Sequence, residues 1–218
     1  MHPMTKGIIF DLDGVLVSTD EYHFRSWKRL CDELGFSFFD REFNHKFRGV
    51  ARMTCVDILL DAAGKTLTAA EKQQLADRKN RYFVESLENV TPDELLPGSL
   101  EMLAQLKQRG IRIAIASNSR NARSIIERVG IAPYLDAIVD GYDINNSKPH
   151  PEPFLLAAEK LGLRPEECLV VEDAVAGIEA ANAAGMKSLG VGERDYLPNA
   201  PALVKDLSRI SADQLLQL

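Results

Sequence analysis

A short apolar run near the start of the chain is followed immediately by two aspartates, and this stretch constrains the fold more than any other. Ile8, Ile9 and Phe10 favour a strand, and such a run is typical of a strand buried on both faces of a parallel sheet. Asp11 and Asp13 follow at once, so the strand places two carboxylates at its C-terminal end. Open α/β sheets bind ligands at that edge, which makes it the first candidate site.

Two neighbouring carboxylates repel each other unless a cation or a shared proton relieves the repulsion. Mg²⁺ is the cation that suits such a pair, because it prefers oxygen ligands and takes few of them from the protein. A bare pair of acids before a turn is more often a solvated strand end. The assignment therefore depends on residues further along the chain.

Helical patterns fill residues 18–92, which is too long for an ordinary crossover between strands. We interpret this segment as an inserted all-helical cap domain. Its first helix is expected to be capped by Asp20 and to end at Gly35. The further predicted cap helices span 42–48, 52–63 and 69–87, and Thr68 with Glu71 forms a capping-box pattern before the last of them.

From residue 96 onward, predicted helices alternate with short apolar strands at 111–116, 137–139, 168–171 and 188–191. Such alternation predicts a parallel sheet with helices on both faces. The predicted fold is therefore α/β. It comprises a Rossmann-like three-layer core with a parallel sheet (residues 1–17 and 93–218) and the inserted all-helical cap (residues 18–92).

Composition excludes several classes of function. The formal net charge is −6 and no basic block stands out, so we expect no nucleic-acid partner. No apolar run reaches membrane-spanning length, so we expect no membrane partner. The three cysteines are far apart, which argues against a disulfide framework or a zinc site and favours buried thiols in a reducing compartment. We expect a cytoplasmic monomer.

Polar groups follow the predicted core strands at four places: Asp11 with Asp13, Ser117-Asn118-Ser119, Ser147-Lys148-Pro149 and Glu172-Asp173. Parallel strands bring such ends to one edge of the sheet, so we expect these groups to converge. Acids, hydroxyl and amide donors and one cation suit phosphoryl transfer, which depends on positioning and charge neutralisation. The Ser117 hydroxyl and nearby N–H groups would hold phosphate oxygens, although Ser117 alone equally fits a helix cap and Lys148 alone a solvated surface residue.

The stretch Phe10-Asp11-Leu12-Asp13-Gly14-Val15 resembles the first motif of the haloacid dehalogenase-like phosphotransferases, and the resemblance covers nearly the whole chain. It implies that Asp11 is a nucleophile forming an aspartyl-phosphate and that Asp13 is the general acid and base. It also implies that Lys148 neutralises phosphate. The implied cofactor is Mg²⁺, with these metal residues: Asp11, Asp13 (also through its backbone carbonyl), Glu172 and Asp173.

Three segments of the predicted cap are similar to those of the β-phosphoglucomutases, a branch of this family: Thr19–Lys28 to the hinge and first cap helix, Phe47–Arg52 to the substrate loop, and Arg78-Lys79-Asn80 to a later signature. The resemblance implies substrate binding by Thr19, His23, Trp27, Arg48, Gly49, Val50, Arg52 and Lys79 in the cap, and by Asn118, Ser119, Arg120 and Asn121 in the core.

The cap residues also support a physical interpretation of their own. Gly49 would let the backbone approach a ligand closely, and Arg52 would fork onto a second phosphate. Plainer interpretations remain open, because a histidine on a helix is more often satisfied core or surface. Trp27 equally fits a packing anchor.

The resemblance thus implies a Mg²⁺-dependent phosphotransferase that interconverts β-glucose 1-phosphate and glucose 6-phosphate through an aspartyl-phosphate and a bisphosphate intermediate. The sugar phosphate would enter between core and cap. The alternative is a sugar-phosphate phosphatase with the same core, in which water replaces the second sugar hydroxyl. A non-catalytic metabolite-binding protein is a third possibility, and the combination of Asp11, Asp13, Lys148 and Asp173 argues against it.

Overall fold

The computed structural model of the protein describes residues 5–47 and 50–218. Contacts divide the chain into two compact units, one formed by Thr19–Val90 and the other by the residues before it together with Thr91–Leu218. We call the first the cap unit and the second the core unit. That residues 18–92 and the remainder fold as separate domains stays a prediction.

Helices make up the regular structure of the cap unit and flank the strands of the core unit. The cap helices are α1 Asp20–Leu34, α2 Arg41–Asn44, α3 Arg52–Ala62 and α4 Ala69–Leu87. The core helices are α5 Ser99–Gln108, α6 Ala122–Val129, α7 Glu152–Leu161, α8 Val175–Ala183 and α9 Ala212–Leu216. In the described ranges, no helix has both the length and the apolar character needed to cross a membrane.

Six strands form one parallel sheet in the core unit, in the spatial order β3-β2-β1-β4-β5-β6. They are β1 Gly7–Phe10, β2 Arg112–Ala116, β3 Ala137–Val139, β4 Cys168–Glu172, β5 Lys187–Val191 and β6 Leu203–Val204. The predicted α/β fold with a parallel sheet is confirmed. The two-residue β6 was not predicted, because so short a pairing leaves no periodic signal.

Strand β1 lies at the centre of the sheet and is buried along its whole length, as the apolar run predicts. Gly7 is in register with Arg112 of β2 and with Cys168 of β4. On one face of the sheet, Ile9 packs in a buried cluster with Phe154 of α7 and residues of α8. Because helices cover the strand, its C-terminal end is the place where side chains leave the hydrophobic core.

The cap unit has its own hydrophobic core, which gathers side chains from α1, α3 and α4 and from the aromatic residues between α1 and α3. Trp27 is buried there, with its ring 5.0 Å from that of Phe47. Helix α4 begins with the predicted capping box, in which Thr68 and Glu71 exchange hydrogen bonds. The three cysteines are buried free thiols, as expected from their spacing.

The start of α1 differs from the prediction. Asp20 is the first residue of the helix, and Thr19 occupies the capping position before it. An aspartate in the first turn still interacts favourably with the positive end of the helix dipole. The helix ends as predicted at Gly35, whose φ of 73° is the left-handed conformation that glycine adopts readily.

Candidate active site

A buried ion-pair cluster lies at the C-terminal ends of β1 and β4. Lys148 Nζ donates to Asp11 Oδ1 at 2.5 Å and to Glu172 Oε1 at 2.8 Å. All three residues are buried, with at most 9% of any of them exposed. Asp11 directly follows β1 and Glu172 is the last residue of β4, so pairing of adjacent parallel strands brings the two carboxylates together. The predicted convergence of these residues is present.

Lys148 reaches the cluster from the long loop between β3 and α7, and not from the end of a strand. Its backbone N–H donates to Asn118 Oδ1 at 3.2 Å, which ties this loop to the one after β2. The Lys148–Pro149 peptide bond is cis. The ammonium group also lies 4.7 Å from the ring centre of Phe154. A side chain distant in sequence is thereby held against Asp11.

Glu172 is hydrogen-bonded on both oxygens, since its second oxygen accepts from the backbone N–H of Ala174 at 2.8 Å. Gly177 in α8 leaves the space that this carboxylate occupies, because a Cβ there would overlap it. With Lys148 on one oxygen and the helix start on the other, Glu172 orients the lysine.

Asp173 lies beside the turn that follows the first motif. Gly14 has a φ of 85°, and a Cβ at this position would overlap the Asp173 carboxylate. The Gly14 N–H donates to the carbonyl of Val17 at 2.8 Å, which closes the turn. A glycine is required here for two reasons, the backbone conformation and the approach of the carboxylate. The second carboxylate of the 172–173 pair is thus placed against the Asp13–Gly14 backbone.

Electrostatics at this site are dominated by buried negative charge. Burial raises the pKa of Asp11 to about 7, with Glu172 and Asp13 adding to the rise and Lys148 opposing it. Burial and the neighbouring carboxylates of Glu172 and Asp11 likewise raise the pKa of Asp173. Burial works against the charge on Lys148, but Asp11 and Glu172 outweigh it and raise the pKa of the lysine. Lys148 therefore stays protonated, and its single positive charge does not balance the negative charge of the neighbouring carboxylates.

The loop after β2 forms the hydroxyl-lined side of the site. The Ser117 N–H donates to the carbonyl of Val139, and its hydroxyl accepts from the Ser119 N–H at 3.1 Å. The Ser119 hydroxyl in turn accepts from the N–H of Asn121 at 3.2 Å, one residue before α6 begins. Both serine hydroxyls therefore fix the backbone of this loop, residues 117–121, which we call the serine loop. Ser117 itself is buried.

A metal site built from side chains alone is not present in the described ranges, where no three His, Cys, Asp or Glu side chains are gathered to hold an ion. Mg²⁺ does not need such a set, because it accepts backbone and water oxygens beside one or two carboxylates. Asp11 and Asp173 offer carboxylate oxygens whose charges interact, and Asp173 lies against Gly14. The four-residue metal set of the sequence analysis stays a prediction.

Four of the predicted substrate residues belong to a cationic cluster inside the cap unit. Lys79 is 2% exposed, and its Nζ lies 2.7 Å from His23 Nδ1 and 5.1 Å from the ring centre of Trp27. Burial lowers the pKa of His23 well below its usual value, and the positive charges of Lys79 and Arg52 lower it further. A neutral imidazole accepts a hydrogen bond from the ammonium group, so the positive charge stays on the lysine and the arginine.

The other predicted cap residues are placed as follows. Thr19 is buried at the start of α1, and Val50 donates its N–H to the carbonyl of Phe47 at 3.2 Å just before α3. Arg52 is the first residue of α3. Arg48 and Gly49 lie outside the described residues, so their roles stay predictions.

Comparison with known proteins agrees with these motifs. A family model described as haloacid dehalogenase-like hydrolase matches residues 5–185. The chain belongs to the haloacid dehalogenase-like hydrolase family. It is 40% identical over 212 residues to β-phosphoglucomutase of Bacillus subtilis, covering 96% of this chain and 93% of that protein. It is 31% identical over 210 residues to a phosphorylated carbohydrates phosphatase of Thermotoga maritima, covering 92% and 94%.

A solved structure extends the similarity to the fold of the whole chain. The crystal structure of β-phosphoglucomutase from Clostridium difficile matches with a TM-score of 0.92 and 35% identity, covering 98% of this chain and 96% of that one. The match includes the segment that forms the cap unit, so the resemblance to β-phosphoglucomutases predicted from the cap segments is confirmed.

One set of residues beside the site was missed by the sequence analysis. Asp140 directly follows β3 and is buried, and its carboxylate accepts from Arg123 Nε at 2.6 Å and from the Tyr142 N–H at 2.9 Å. The Gly141 N–H donates to the carbonyl of Ser119, which joins this turn to the serine loop. The signal that would have found it is the same as for Asp11: an acid placed immediately after a buried strand.

Proposed function

We propose that this protein is a Mg²⁺-dependent β-phosphoglucomutase, which interconverts β-glucose 1-phosphate and glucose 6-phosphate through a bisphosphate intermediate. The observation that carries the proposal is the Asp11 carboxylate, buried at the end of β1 and held 2.5 Å from Lys148 Nζ. A buried carboxylate paired with a fixed cation suits nucleophilic attack on a phosphoryl group. Similarity to β-phosphoglucomutases over 96% of the chain supports the substrate class.

The proposed cycle moves one phosphoryl group between Asp11 and the sugar. Asp13 takes the proton from the 6-hydroxyl of β-glucose 1-phosphate as that oxygen attacks the phosphorus of the aspartyl-phosphate. The bond from phosphorus to Asp11 breaks, and the bisphosphate forms. After the sugar reorients, Asp11 attacks the phosphorus at C1, the bond to O1 breaks, and Asp13 returns the proton to O1. Glucose 6-phosphate leaves, and the aspartyl-phosphate is restored.

Lys148 and Ser117 have distinct roles in this proposal. Lys148, fixed by Glu172, neutralises the phosphoryl oxygens and holds Asp11 in line for attack. The serine loop supplies hydroxyl and backbone N–H groups to the same oxygens, since it begins the turn into α6. Positioning and charge neutralisation are the two contributions that phosphoryl transfer requires from a protein.

Mg²⁺ fits the residues that are present. Asp11 is buried and Asp173 is partly buried, and burial together with neighbouring negative charge raises the pKa of both. A divalent cation would offset that negative charge. We propose that Asp11, the backbone carbonyl of Asp13 and Asp173 hold the ion. We assign Glu172, the fourth residue of the predicted metal set, a supporting role instead, because both of its oxygens accept hydrogen bonds, one from Lys148 and one from the Ala174 N–H. When bound, Mg²⁺ withdraws charge from the phosphoryl oxygens.

A second phosphate-binding role is assigned to the cationic cluster inside the cap unit. Lys79 and Arg52 provide positive charge beside the neutral His23, and a phosphate group is the anion that this cluster suits. Exclusion of water is also assigned to the cap, because an aspartyl-phosphate exposed to water would hydrolyse. These residues distinguish a mutase, which must hold a second phosphate, from a phosphatase.

Phosphorus NMR tests the proposal directly. The protein with Mg²⁺ is given β-glucose 1-phosphate primed with glucose 1,6-bisphosphate. We expect glucose 6-phosphate to accumulate, whereas release of inorganic phosphate alone would establish the sugar-phosphate phosphatase, a function found by name in the Thermotoga maritima relative. If an Asp11→Asn variant turned over as fast as the parent, Asp11 would not be the nucleophile and the proposal would fail.

The proposed role of Arg52 has its own test. Arg52→Ala should reduce mutase turnover far more than hydrolysis of a small aryl phosphate, which has no second phosphate group. Arg25→Ala is the matched control, because Arg25 is an exposed arginine of the same unit paired with Glu21. Equal losses on both substrates in Arg52→Ala would contradict a role in holding the distal phosphate. The cytoplasmic location and the monomeric state stay predictions.

A further inference from the structure

Arg120 lies in the loop between β2 and α6 and contacts Gly141 and Tyr142 in the turn after β3. Neither Gly141 nor Tyr142 has a role in the proposed reaction. The Nε of Arg120 donates to the carbonyl of Gly141 at 3.4 Å, and its guanidinium carbon lies 5.2 Å from the ring centre of Tyr142. Tyr142 is 74% exposed, so burial of apolar area does not explain why the ring lies there. The Tyr142 ring instead lies against the guanidinium group of Arg120.

The backbone that carries Tyr142 is held by hydrogen bonds around the buried side chain of Asp140. Asp140, 1% exposed, accepts from the Tyr142 N–H at 2.9 Å. Asp140 and Asp143 both accept from Arg123 of α6, and the Asp140 N–H donates to Asp143. This network fixes the backbone of the turn before and after the tyrosine. The backbone from which the Tyr142 side chain extends is therefore fixed.

Gly141 allows the two loops to come together. A Cβ added at Gly141 would lie 2.6 Å from the carbonyl oxygen of Asn118 and 2.9 Å from Cγ of Arg120, closer than such atoms approach. The Gly141 N–H also donates to the carbonyl of Ser119 at 3.1 Å. The turn at 140–143 is thus fitted closely to the loop that carries the arginine.

One edge of the guanidinium remains available to a ligand. Within residues 5–47 and 50–218, the terminal NH₂ groups of Arg120 have no acceptor in hydrogen-bond distance. A guanidinium whose Nε and one face are occupied offers two parallel N–H donors, the geometry that matches two oxygens of one phosphate. The arrangement is that of a prepared anion-binding fork.

We propose that Gly141 and Tyr142 are positioning residues, which hold Arg120 for a phosphate group other than the one being transferred. This inference rests on the proposed function for the identity of the ligand. Tyr142 acts through Arg120 alone, by covering one face of the guanidinium.

Binding of glucose 1,6-bisphosphate to the Asp11→Asn protein, measured by titration calorimetry, tests the proposal without turnover. In that background, Tyr142→Ala should weaken binding by about 2- to 5-fold, the range of an exposed cation–π contact. Tyr142→Phe keeps the ring and should bind as the parent does. Tyr196→Ala, which removes a 66% exposed tyrosine elsewhere in the core unit, is the control and should not change affinity.

A double-mutant cycle with Arg120→Ala decides whether the tyrosine acts through the arginine. Once Arg120 is absent, Tyr142→Ala should cause no further loss. Equal losses in both backgrounds, loss in Tyr142→Phe as large as in Tyr142→Ala, or unchanged binding in Tyr142→Ala would each overturn the proposal. Failure of the proposed function is seen separately, as release of inorganic phosphate alone by the parent protein, and it leaves the binding cycle interpretable.

Discussion

Among the residues that the structure describes, each unit buries one lysine, and the surroundings of these lysines are opposite in character. In the core unit, Lys148 contacts the carboxylates of Asp11 and Glu172. In the cap unit, Lys79 contacts a ring nitrogen of His23 and the aromatic faces of Trp27 and Phe83. Both side chains are at least nine-tenths buried.

The charges around each lysine indicate which kind of ligand would stabilise each unit. In the core, burial first and then the neighbouring carboxylates raise the pKa values of Asp11 and Asp173 despite the charge of Lys148, so a further cation would be stabilised. In the cap, positive charge from Lys79 and Arg52 adds to burial, so the pKa of His23 falls and an anion would be stabilised. A metal ion in the core unit and a phosphate group in the cap unit would each reduce the local excess of charge, as the proposed function requires.

Removing the core lysine should have the largest effect. Lys148→Ala leaves two buried carboxylates without their cation, and breaking a buried ion pair in this way costs about 3–5 kcal/mol. We expect the free energy of unfolding to fall by this amount in urea denaturation, and phosphoryl transfer to fall by about 10²–10³-fold, as for loss of one preorganised donor.

Lys107→Ala is the matched control for that variant. Lys107 pairs with Asp136 at 2.8 Å on the surface of the same unit. Exposed pairs contribute at most about 1 kcal/mol, so this variant should remain close to the parent. Equal stability of the two variants would show that the buried cluster is not held by its charges.

Mg²⁺ should stabilise the core unit and not the cap unit. At a concentration 100-fold above its dissociation constant, a ligand of the folded state adds about 2.7 kcal/mol. We expect slower hydrogen exchange in β1 and β4 with Mg²⁺ than with EDTA, and no change in α4. Asp173→Asn should lose most of this effect, and Asp213→Asn, at an exposed carboxylate paired with Arg109, should keep it. Protection confined to α4 would reverse the assignment of charge to the two units.

The pH dependence of stability should carry the signature of the cap. Burial first, then Lys79 and Arg52, hold the pKa of His23 below its unfolded value of 6.5. The unfolded chain therefore binds a proton that the folded chain refuses. The stabilisation is complete above pH 6.5 and is lost as pH falls, by up to about 1.4 kcal/mol per pH unit.

Thermal unfolding at pH 7.5 and 5.5 measures this contribution as a difference between variants. The raised pKa of Asp11 acts in the opposite sense in this range, because folded Asp11 binds a proton that the unfolded chain has released. On acidification, the melting temperature of His23→Gln should therefore change more favourably than that of the parent. His150→Gln, at a histidine whose side chain is 52% exposed, should change as the parent does. The same change in His23→Gln as in the parent would mean that the imidazole is not held neutral by its neighbours.

The smallest expected effect concerns the helix that carries Lys79. Thr68→Ala removes the side-chain cap of α4 and should lower the free energy of unfolding by about 1 kcal/mol. Hydrogen exchange should become faster at the start of α4 and stay the same in β1. Thr66→Ala, at an exposed threonine of the preceding loop, is the control. Faster exchange in both units would show that the cap and core do not open independently.

Local sequence patterns were sufficient for the elements that carry the site. The apolar run before Asp11 predicts a buried central strand, and the pairing of Thr68 with Glu71 predicts the start of α4, because both signals depend on neighbouring residues only. The order of polar groups after strands also predicts that Asp11 and Glu172 meet, since parallel strands share one C-terminal edge.

Other features depended on contacts between residues that are distant in the chain. Nothing local to Lys148 places it on Asp11, because the loop that delivers it is anchored by Asn118 in another segment. The turn that carries Tyr142 is held by the hydrogen bond from Arg123 of α6 to Asp140, and no local pattern around Tyr142 predicts that bond.

The sequence by itself therefore determined the sheet, the helical insertion and the identity of the acids, because hydrophobic periodicity and strand-end chemistry are local properties. The tertiary structure alone decided the charge balance of each unit. Burial and neighbouring charges set the pKa values of Asp11 and His23, and both depend on what the fold packs around a side chain.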